Sequence, residues 1–137
     1  MRAVLDPDVI IAALLSSRGA PAAALAAWQD GAYDLVVSTA LLEELERALG
    51  YPKLRERIGE AEADEVRAWL ERTAILLDDP VDLPRGQRSS RDPGDDYLLA
   101  LAARAEALLV TGDLDLLELS QELPIHSPGS FVSLLRV

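Results

Sequence analysis

Residues 91–115 read RDPGDDYLLALAARAEALLVTGDLD, with an acidic turn at each end. Apolar residues recur at helical spacing over residues 97–105, and residues 107–111 form a short apolar run typical of a buried parallel strand. A helix followed by a parallel strand brings the start of the helix and the end of the strand to the same edge of the sheet, the carboxyl edge. We therefore expect both acidic turns to face one crevice. Their carboxylates are Asp92, Asp95, Asp96, Asp113 and Asp115.

Strand-like and helix-like segments alternate along the whole chain. This alternation predicts a single α/β domain of residues 1–137, with three α/β/α layers and a central parallel sheet of about 4–5 strands. Ligands bind such sheets outside the carboxyl ends of the strands. The predicted strands are residues 2–5, 35–37, 74–77, 107–111 and an edge strand at 124–126. The predicted helices are residues 7–16, 21–28, 40–49, 52–58, 62–73 and 97–105, a turn at 116–119 and a last helix from Pro128.

The composition excludes several kinds of site. There are no cysteines, so disulfides, thiolate metal sites and cysteine nucleophiles are ruled out, and the single histidine is His126. No apolar run approaches the roughly 18 residues needed to cross a membrane. The N-terminus shows no signal-peptide pattern. We therefore expect a cytoplasmic protein whose chemistry depends on carboxylates.

The chain is strongly acidic, with 24 acidic and 13 basic residues and a formal net charge of −11. It lacks the overall basic character that is usual in nucleic-acid binders. Solubility alone is one explanation of this charge. The alternatives are a cation site that gathers part of the acidic excess, or a basic partner protein.

Helical spacing separates inward from outward carboxylates. In the helix at residues 40–49, Glu44 borders the apolar stripe that contains Leu41 and Leu45, whereas Glu43 and Glu46 fall on the opposite side. In the helix that follows the first acidic turn, Asp95 precedes Leu98 by three residues and Leu99 by four, and it projects on the apolar face. Asp96 is expected to face outward.

Each of these carboxylates also has a purely structural interpretation. Asp6 is able to cap the helix that starts at Pro7, and Asp113 the turn that starts at Leu114. Asp92 is most simply an N-cap, Glu44 an edge-of-stripe residue, and Asp115 a surface residue or a support for its neighbours. A cluster of four carboxylates, however, is unfavourable without a cation, because close carboxylates repel one another. Mg²⁺ or Mn²⁺ suits oxygen ligands, and no Cys or His cluster is present for zinc.

The motifs together resemble those of PIN-domain nucleases found as toxins of bacterial toxin–antitoxin pairs. They are VLDPDVIIAALL at the start, LVVSTALLEEL in the middle, and RDPGDDYLLALA followed by LLVTGDLDLL. The resemblance implies that Asp6, Glu44, Asp95 and Asp113 are the acidic site residues, with Asp115 as a further metal ligand. It also implies metal-assisted hydrolysis of an RNA phosphodiester, an antitoxin partner and a homodimer.

The chain departs from the family at its first motif. PIN domains usually begin this motif with Asp-Thr-Asn, whereas this chain has Asp6, Pro7 and Asp8. Pro7 removes a hydroxyl and a backbone donor, and Asp8 replaces an amide by a charge. We expect the change either to weaken the positioning of Asp6 or to add negative charge near the metal.

Three further interpretations stay open. Arg85, Arg88 and Arg91, in the predicted loop at residues 78–91, are candidates for holding flanking phosphates, or they are ordinary solvated loop residues. The pattern at Asp6 and Asp8 also resembles haloacid-dehalogenase phosphatases, but the lysine that such enzymes need is represented only by the badly placed Lys53. Finally, the unusual first motif suits a weakened PIN fold kept for binding an antitoxin-like partner.

Overall fold

The computed structural model describes residues 1–83, 86–87 and 89–136. Its centre is a five-stranded sheet in the order β3-β2-β1-β4-β5, and every paired strand is parallel. The strands are β1 (Arg2–Leu5), β2 (Asp34–Ser38), β3 (Ile75–Leu77), β4 (Leu108–Val110) and β5 (Ile125–His126).

Helices connect the strands, as a parallel sheet requires, and the architecture confirms the predicted three-layer α/β/α fold. In the described residues they are α1 (Pro7–Leu15), α2 (Ala20–Gln29), α3 (Thr39–Leu49), α4 (Pro52–Arg55), α5 (Glu60–Thr73), α6 (Asp96–Ala105), α7 (Leu114–Leu117) and α8 (Pro128–Leu135). A 3₁₀ turn, Pro93–Asp95, precedes α6.

The core lies on the middle strands. The apolar side chains of β1 and β4 are buried except for the half-buried Leu108, which explains why these strands read as apolar runs without alternation. Helix α6 packs against both strands, and α1 packs against α2 and α3. Tyr33 and Phe131 meet edge to face with ring centroids 4.9 Å apart, which joins the start of β2 to α8.

Two strands that are distant in the sequence end side by side. Leu5 of β1 pairs with Val110 of β4, and the backbone N–H of Asp6 donates to the Val110 carbonyl at 2.9 Å. The chain leaves β1 toward β2 on one side and later adds β4 on the other. The junction of β1 and β4 is therefore the point at which the strand order reverses, where such sheets form their ligand crevice.

Several predicted boundaries were wrong. The helix predicted at residues 52–58 is only the single turn α4, and the turn predicted at 116–119 is α7, which begins at Leu114 as the capping interpretation of Asp113 predicts. The second shift has a clear cause, because the Asp113 carboxylate accepts the Asp115 N–H and fixes the helix start there. Within the described residues no single helix is long and apolar enough to cross a membrane; α1 and α2 reach that length only as a pair bent by 97°.

Candidate active site

The carboxyl edge of the sheet carries a cleft of about 290 Å³. All four acidic residues assigned from the resemblance line it: Asp6, Glu44, Asp95 and Asp113. The rest of its lining is Pro7, Asp8, Arg47, Asp92, Gly94, Tyr97 and Leu98. Four segments of the chain that are far apart in sequence therefore bring acidic groups into one concave site.

Asp6 is held rigidly at the end of β1 and is only 7% exposed. Its Oδ1 accepts the Asp8 N–H at 3.1 Å, and its Oδ2 accepts the Thr111 hydroxyl at 2.8 Å. Burial raises the pKa of Asp6, and these two hydrogen bonds partly offset that effect. Each oxygen keeps a second lone pair, so the capping role does not prevent Asp6 from binding a cation.

The Asp6-Pro7-Asp8 motif lets Asp6 cap the start of α1. Pro7 is the first residue of α1, where no backbone donor is needed, and the Asp8 N–H still reaches the Asp6 carboxylate. The charge of Asp8 also contributes to the raised pKa of Asp6. The effect of this motif on the positioning of Asp6 stays a prediction, and Asp8 places a further charge in the cleft lining.

Asp113 is positioned by the end of β4. Its N–H donates to the Thr111 hydroxyl at 3.0 Å, and its Oδ1 accepts the Asp115 N–H at 2.8 Å. Thr111 is fully buried and therefore ties Asp6 to Asp113 through one hydroxyl. Asp115 is half-buried and does not line the cleft. Its assignment as a metal ligand stays a prediction.

Asp95 carries the most perturbed carboxyl of the cleft. Burial, a hydrogen bond shared with Asp113 and the nearby charges raise the pKa of Asp95 to about 7. Among the described residues, its buried Oδ2 has no hydrogen-bond partner. A buried oxygen without a donor is unfavourable and indicates a site shaped for a further group.

Glu44 reaches the cleft but is already paired. It forms a two-pronged ion pair with Arg47, in which Arg47 Nε lies 3.0 Å from Glu44 Oε2 and Nη2 contacts Oε1. The spacing argument for α3 correctly separated its glutamates, because Glu43 and Glu46 are exposed and lie outside the cleft lining. It did not predict that Arg47 would occupy the Glu44 carboxylate.

The other two aspartates of the first acidic turn have structural contacts. Asp92 caps the 3₁₀ turn by accepting the Gly94 N–H at 2.9 Å, as its N-cap interpretation predicts, and it also borders the cleft. Asp96 does not line the cleft, and its expected outward orientation stays a prediction. Asp96 is half-buried, and its carboxylate accepts the Ser90 N–H at 2.9 Å and the Ser89 hydroxyl at 2.6 Å, which anchors the preceding loop.

Sequence reasoning overlooked three residues of the site, Thr111, Tyr97 and Arg47. Each had a local signal: Thr111 stands two residues before Asp113, Tyr97 two after Asp95, and Arg47 three after Glu44. Burial, followed by the charges of Asp6 and other carboxylates, raises the pKa of Tyr97, so its hydroxyl stays protonated and is able to donate.

The phosphate-binding role considered for the loop arginines stays a prediction. Arg91 pairs with Glu118 at 3.0 Å and is absent from the cleft lining. Arg85 and Arg88 lie outside the described residues.

The donor set of the cleft suits a hard divalent cation. Asp6, Asp95 and Asp113 offer only oxygens, and Asp95 supplies the unpaired buried one. Within the described part of the chain, no three or more acidic or histidine side chains already stand together as a complete ligand set. One of the four acidic residues, Glu44, is bound by Arg47.

A second cavity, of about 540 Å³, lies between α6 and the strands β4 and β5. Its lining is mainly apolar. Like the cleft it lies against α6, but none of the four acidic residues of the cleft lines it. Its walls therefore do not suit a cation or a phosphate.

Comparison with solved structures supports the fold. The crystal structure of PAE2754 from Pyrobaculum aerophilum superposes with a TM-score of 0.63. The alignment covers 99% of this chain and 90% of that chain, at 18% sequence identity. A comparison with curated proteins finds no match.

Comparison with family models supplies the classification. The model described as PIN domain matches residues 2–115, which include β1 to β4 and all four acidic residues of the cleft. PIN domains form a superfamily of nucleases that generally depend on divalent metals. The match extends over most of the sequence, and the chain therefore belongs to the PIN domain family.

Proposed function

We propose that this protein is an endoribonuclease that uses Mg²⁺ or Mn²⁺ to hydrolyse RNA phosphodiester bonds at the carboxylate cleft. One observation carries the proposal: three aspartates converge where β1 and β4 end, and the buried Asp95 Oδ2 has no hydrogen-bond partner in the part of the chain that the structure describes. Its support is this convergence together with membership of a nuclease family.

Asp6, Asp95 and Asp113 are the proposed metal-holding residues. Glu44 is proposed as a further ligand or as a group that orients water, and Asp115 as an additional ligand from α7. A bound divalent ion would stabilise the charge that develops on the phosphoryl oxygens and activate water for hydrolysis. It would also turn an acidic cleft into a site that accepts a phosphate.

Hydrogen bonds within the chain orient the proposed metal-holding residue Asp6. The Thr111 hydroxyl and the Asp8 N–H hold both oxygens of Asp6, so this ligand keeps one geometry before substrate arrives. Tyr97 places a protonated hydroxyl among the carboxylates, where it is suited to donate to a phosphate oxygen.

We further propose that the protein is the toxin of a toxin–antitoxin pair, binds a cognate antitoxin protein and forms a homodimer. The support for this role is the resemblance of the four motifs to toxin-type PIN domains. Light scattering across a range of protein concentrations tests the homodimer, which requires twice the chain mass. Co-purification with the product of the neighbouring reading frame tests the antitoxin.

The nuclease proposal is tested by cleavage of a single-stranded RNA that carries a dye and a quencher. We expect the metal-stripped protein to be inactive and Mn²⁺ or Mg²⁺ to restore cleavage. Asp6→Asn and Asp113→Asn should each lower kcat/KM by at least about 100-fold, because each removes a charged metal-holding group. Glu43→Gln, an exposed change on α3, is the matched control and should keep full activity.

The competing function is a PIN fold that binds a partner without catalysis. It is favoured by the Arg47 pairing of Glu44 and by the charge that Asp8 adds. Calorimetric titration of the metal-stripped protein with Mn²⁺ separates the two functions. Binding that Asp6→Asn abolishes supports the nuclease, whereas a folded protein that binds no Mn²⁺ and cleaves no RNA overturns it. The phosphatase alternative gains no support, since Lys53 lies on α4 and does not line the cleft.

A further inference from the structure

The junction of α3 and α4 is locally basic in a strongly acidic chain. Residues 47–57 contain four of the 13 basic residues, Arg47, Lys53, Arg55 and Arg57, against one acidic residue, Glu56. This short segment therefore has a positive balance although the chain has a net charge of −11. Local positive charge beside an acidic catalytic cleft is what a polyanionic substrate requires.

Arg47 connects this basic segment to the cleft. Its guanidinium lines the cleft and contacts Glu44 on one side. On the other side it contacts the Tyr51 hydroxyl and lies 5.4 Å from the centre of the Tyr51 ring. The Arg47 side chain is 57% exposed, so solvent and ligands reach it.

Tyr51 continues the path away from the cleft. Tyr51 is 51% exposed, which is unusual for an aromatic side chain. The chain has few aromatic residues. Together with Pro52, Lys53 and Leu54, Tyr51 lines a shallow surface groove. An exposed aromatic ring beside lysine and arginine is the combination with which proteins bind single-stranded nucleic acid, by base stacking and phosphate contacts.

We propose that Arg47, Tyr51 and Lys53 form a nucleotide-binding subsite that guides single-stranded RNA along the α3–α4 surface into the carboxylate cleft. Tyr51 stacks on a base, Lys53 binds a backbone phosphate, and Arg47 binds the phosphate next to the cleft. The inference rests on the proposed nuclease function and adds the substrate path to it.

The Arg47–Glu44 ion pair is suited to exchange partners. It is exposed, and exposed ion pairs contribute little to stability, so breaking it is inexpensive. The planar guanidinium binds phosphate with the same two-pronged geometry that it uses for a carboxylate. Substrate binding would thus free the Glu44 carboxylate within the cleft at the moment that Arg47 takes the phosphate.

The other two arginines of the segment have positions that suit structure. Arg57 Nη2 donates to the Leu15 carbonyl at 3.2 Å and so ties the segment after α4 to the end of α1. Arg55 is half-buried, and its Nη1 is enclosed. They are therefore left out of the subsite.

Equilibrium binding to a dye-labelled, unstructured single-stranded RNA tests the subsite. The protein carries Asp113→Asn in every case, so that the RNA stays intact. Added to this background, Arg47→Ala and Tyr51→Ala should each weaken binding about 5- to 100-fold, and Lys53→Ala less. Tyr51→Phe should retain most of the affinity because it keeps the ring. Arg104→Ala, an exposed change on α6, is the matched control.

Two further readouts separate phosphate contacts from stacking. The slope of log Kd against log salt concentration should decrease for Arg47→Ala by the amount that corresponds to about one phosphate contact. It should stay unchanged for Tyr51→Ala. In the otherwise unmodified protein, Tyr51→Ala should raise KM for RNA cleavage with little change in kcat.

The outcomes distinguish the two proposals. An unmodified protein that neither binds nor cleaves RNA overturns the nuclease proposal, and the subsite with it. If that protein cleaves RNA while the Arg47, Tyr51 and Lys53 variants bind and cleave like Arg104→Ala, the nuclease proposal stands and the subsite is overturned.

Discussion

Single residues in the cleft combine structural and chemical roles. Asp6, Asp92 and Asp113 each accept a backbone N–H at a helix or turn start, and all three line the cleft. A capping hydrogen bond fixes the position of the carboxylate. It uses one lone pair of one oxygen and leaves the other lone pairs free. The capping and functional interpretations of these aspartates are therefore compatible, although the sequence alone presents them as alternatives.

Asp95 gives a pH prediction. Its pKa in the folded, metal-free protein is about 7, against an ordinary value of 3.8 for the unfolded chain. Between these values the folded state binds the additional proton, so this residue's contribution to stability falls as pH rises from about 4 to about 7 and is constant above. We expect Asp95→Asn to lack this fall and to be more stable than the parent at pH 8, by roughly 1 kcal/mol after allowing for partial exposure.

Urea unfolding at pH 5 and pH 8, with a chelator present, measures this effect. The difference in unfolding free energy between Asp95→Asn and the parent should be larger at pH 8. Asp64→Asn, an exposed change on α5, controls for the loss of one charge. An equal difference at both pH values would show that Asp95 ionises normally.

Helix α6 ends at a residue with an unfavourable backbone conformation. Glu106 has a φ of 52°, the left-handed conformation that favours glycine, and it is exposed. Glu106→Gly should therefore raise the unfolding free energy by about 0.5–1 kcal/mol, because it relieves the backbone strain without removing a core contact. Thermal or urea unfolding checks the sign.

At Gly31 the opposite substitution, from glycine to a residue with a side chain, tests the same effect. Its φ is 82°, and an added Cβ would meet nothing within 4 Å. Gly31→Ala should lower stability by about 1 kcal/mol through backbone strain alone. A stabilising Gly31→Ala together with a destabilising Glu106→Gly would contradict the role given to these conformations.

The elements also show where sequence reasoning succeeds and where it stops. The order of strands and helices was predicted because apolar runs and helical periodicity are local, and the position of the cleft followed from the parallel connections. The partner of Glu44 and the loop contacts of Asp96 were not predicted. Each depends on a side-chain contact, to Arg47 and to Ser90, that periodicity does not encode.

For the whole molecule, a cation would link parts of the chain that are distant in sequence. Asp6, Asp95 and Asp113 belong to the starts of α1, α6 and α7, so binding would stabilise the folded state and not the unfolded chain. At a Mn²⁺ concentration 100 times Kd, the gain is about 2.7 kcal/mol, or roughly 8–12 °C in Tm.

Differential scanning calorimetry with increasing Mn²⁺ measures this shift. The rise in Tm should disappear in Asp6→Asn and persist in Glu43→Gln. An equal rise in both variants would place the cation elsewhere on this acidic surface.

The hydrogen bond between Asp6 and Thr111 spans 105 residues, and it has a consequence for synthesis on the ribosome. Strand β1 is translated about 100 residues before its neighbour β4. Until then, Asp6 lacks the hydroxyl that orients it and the second aspartate that completes the cleft. Every nascent chain that stops before β4 is therefore without the complete cleft, and any activity of the cleft begins only after β4 has been translated.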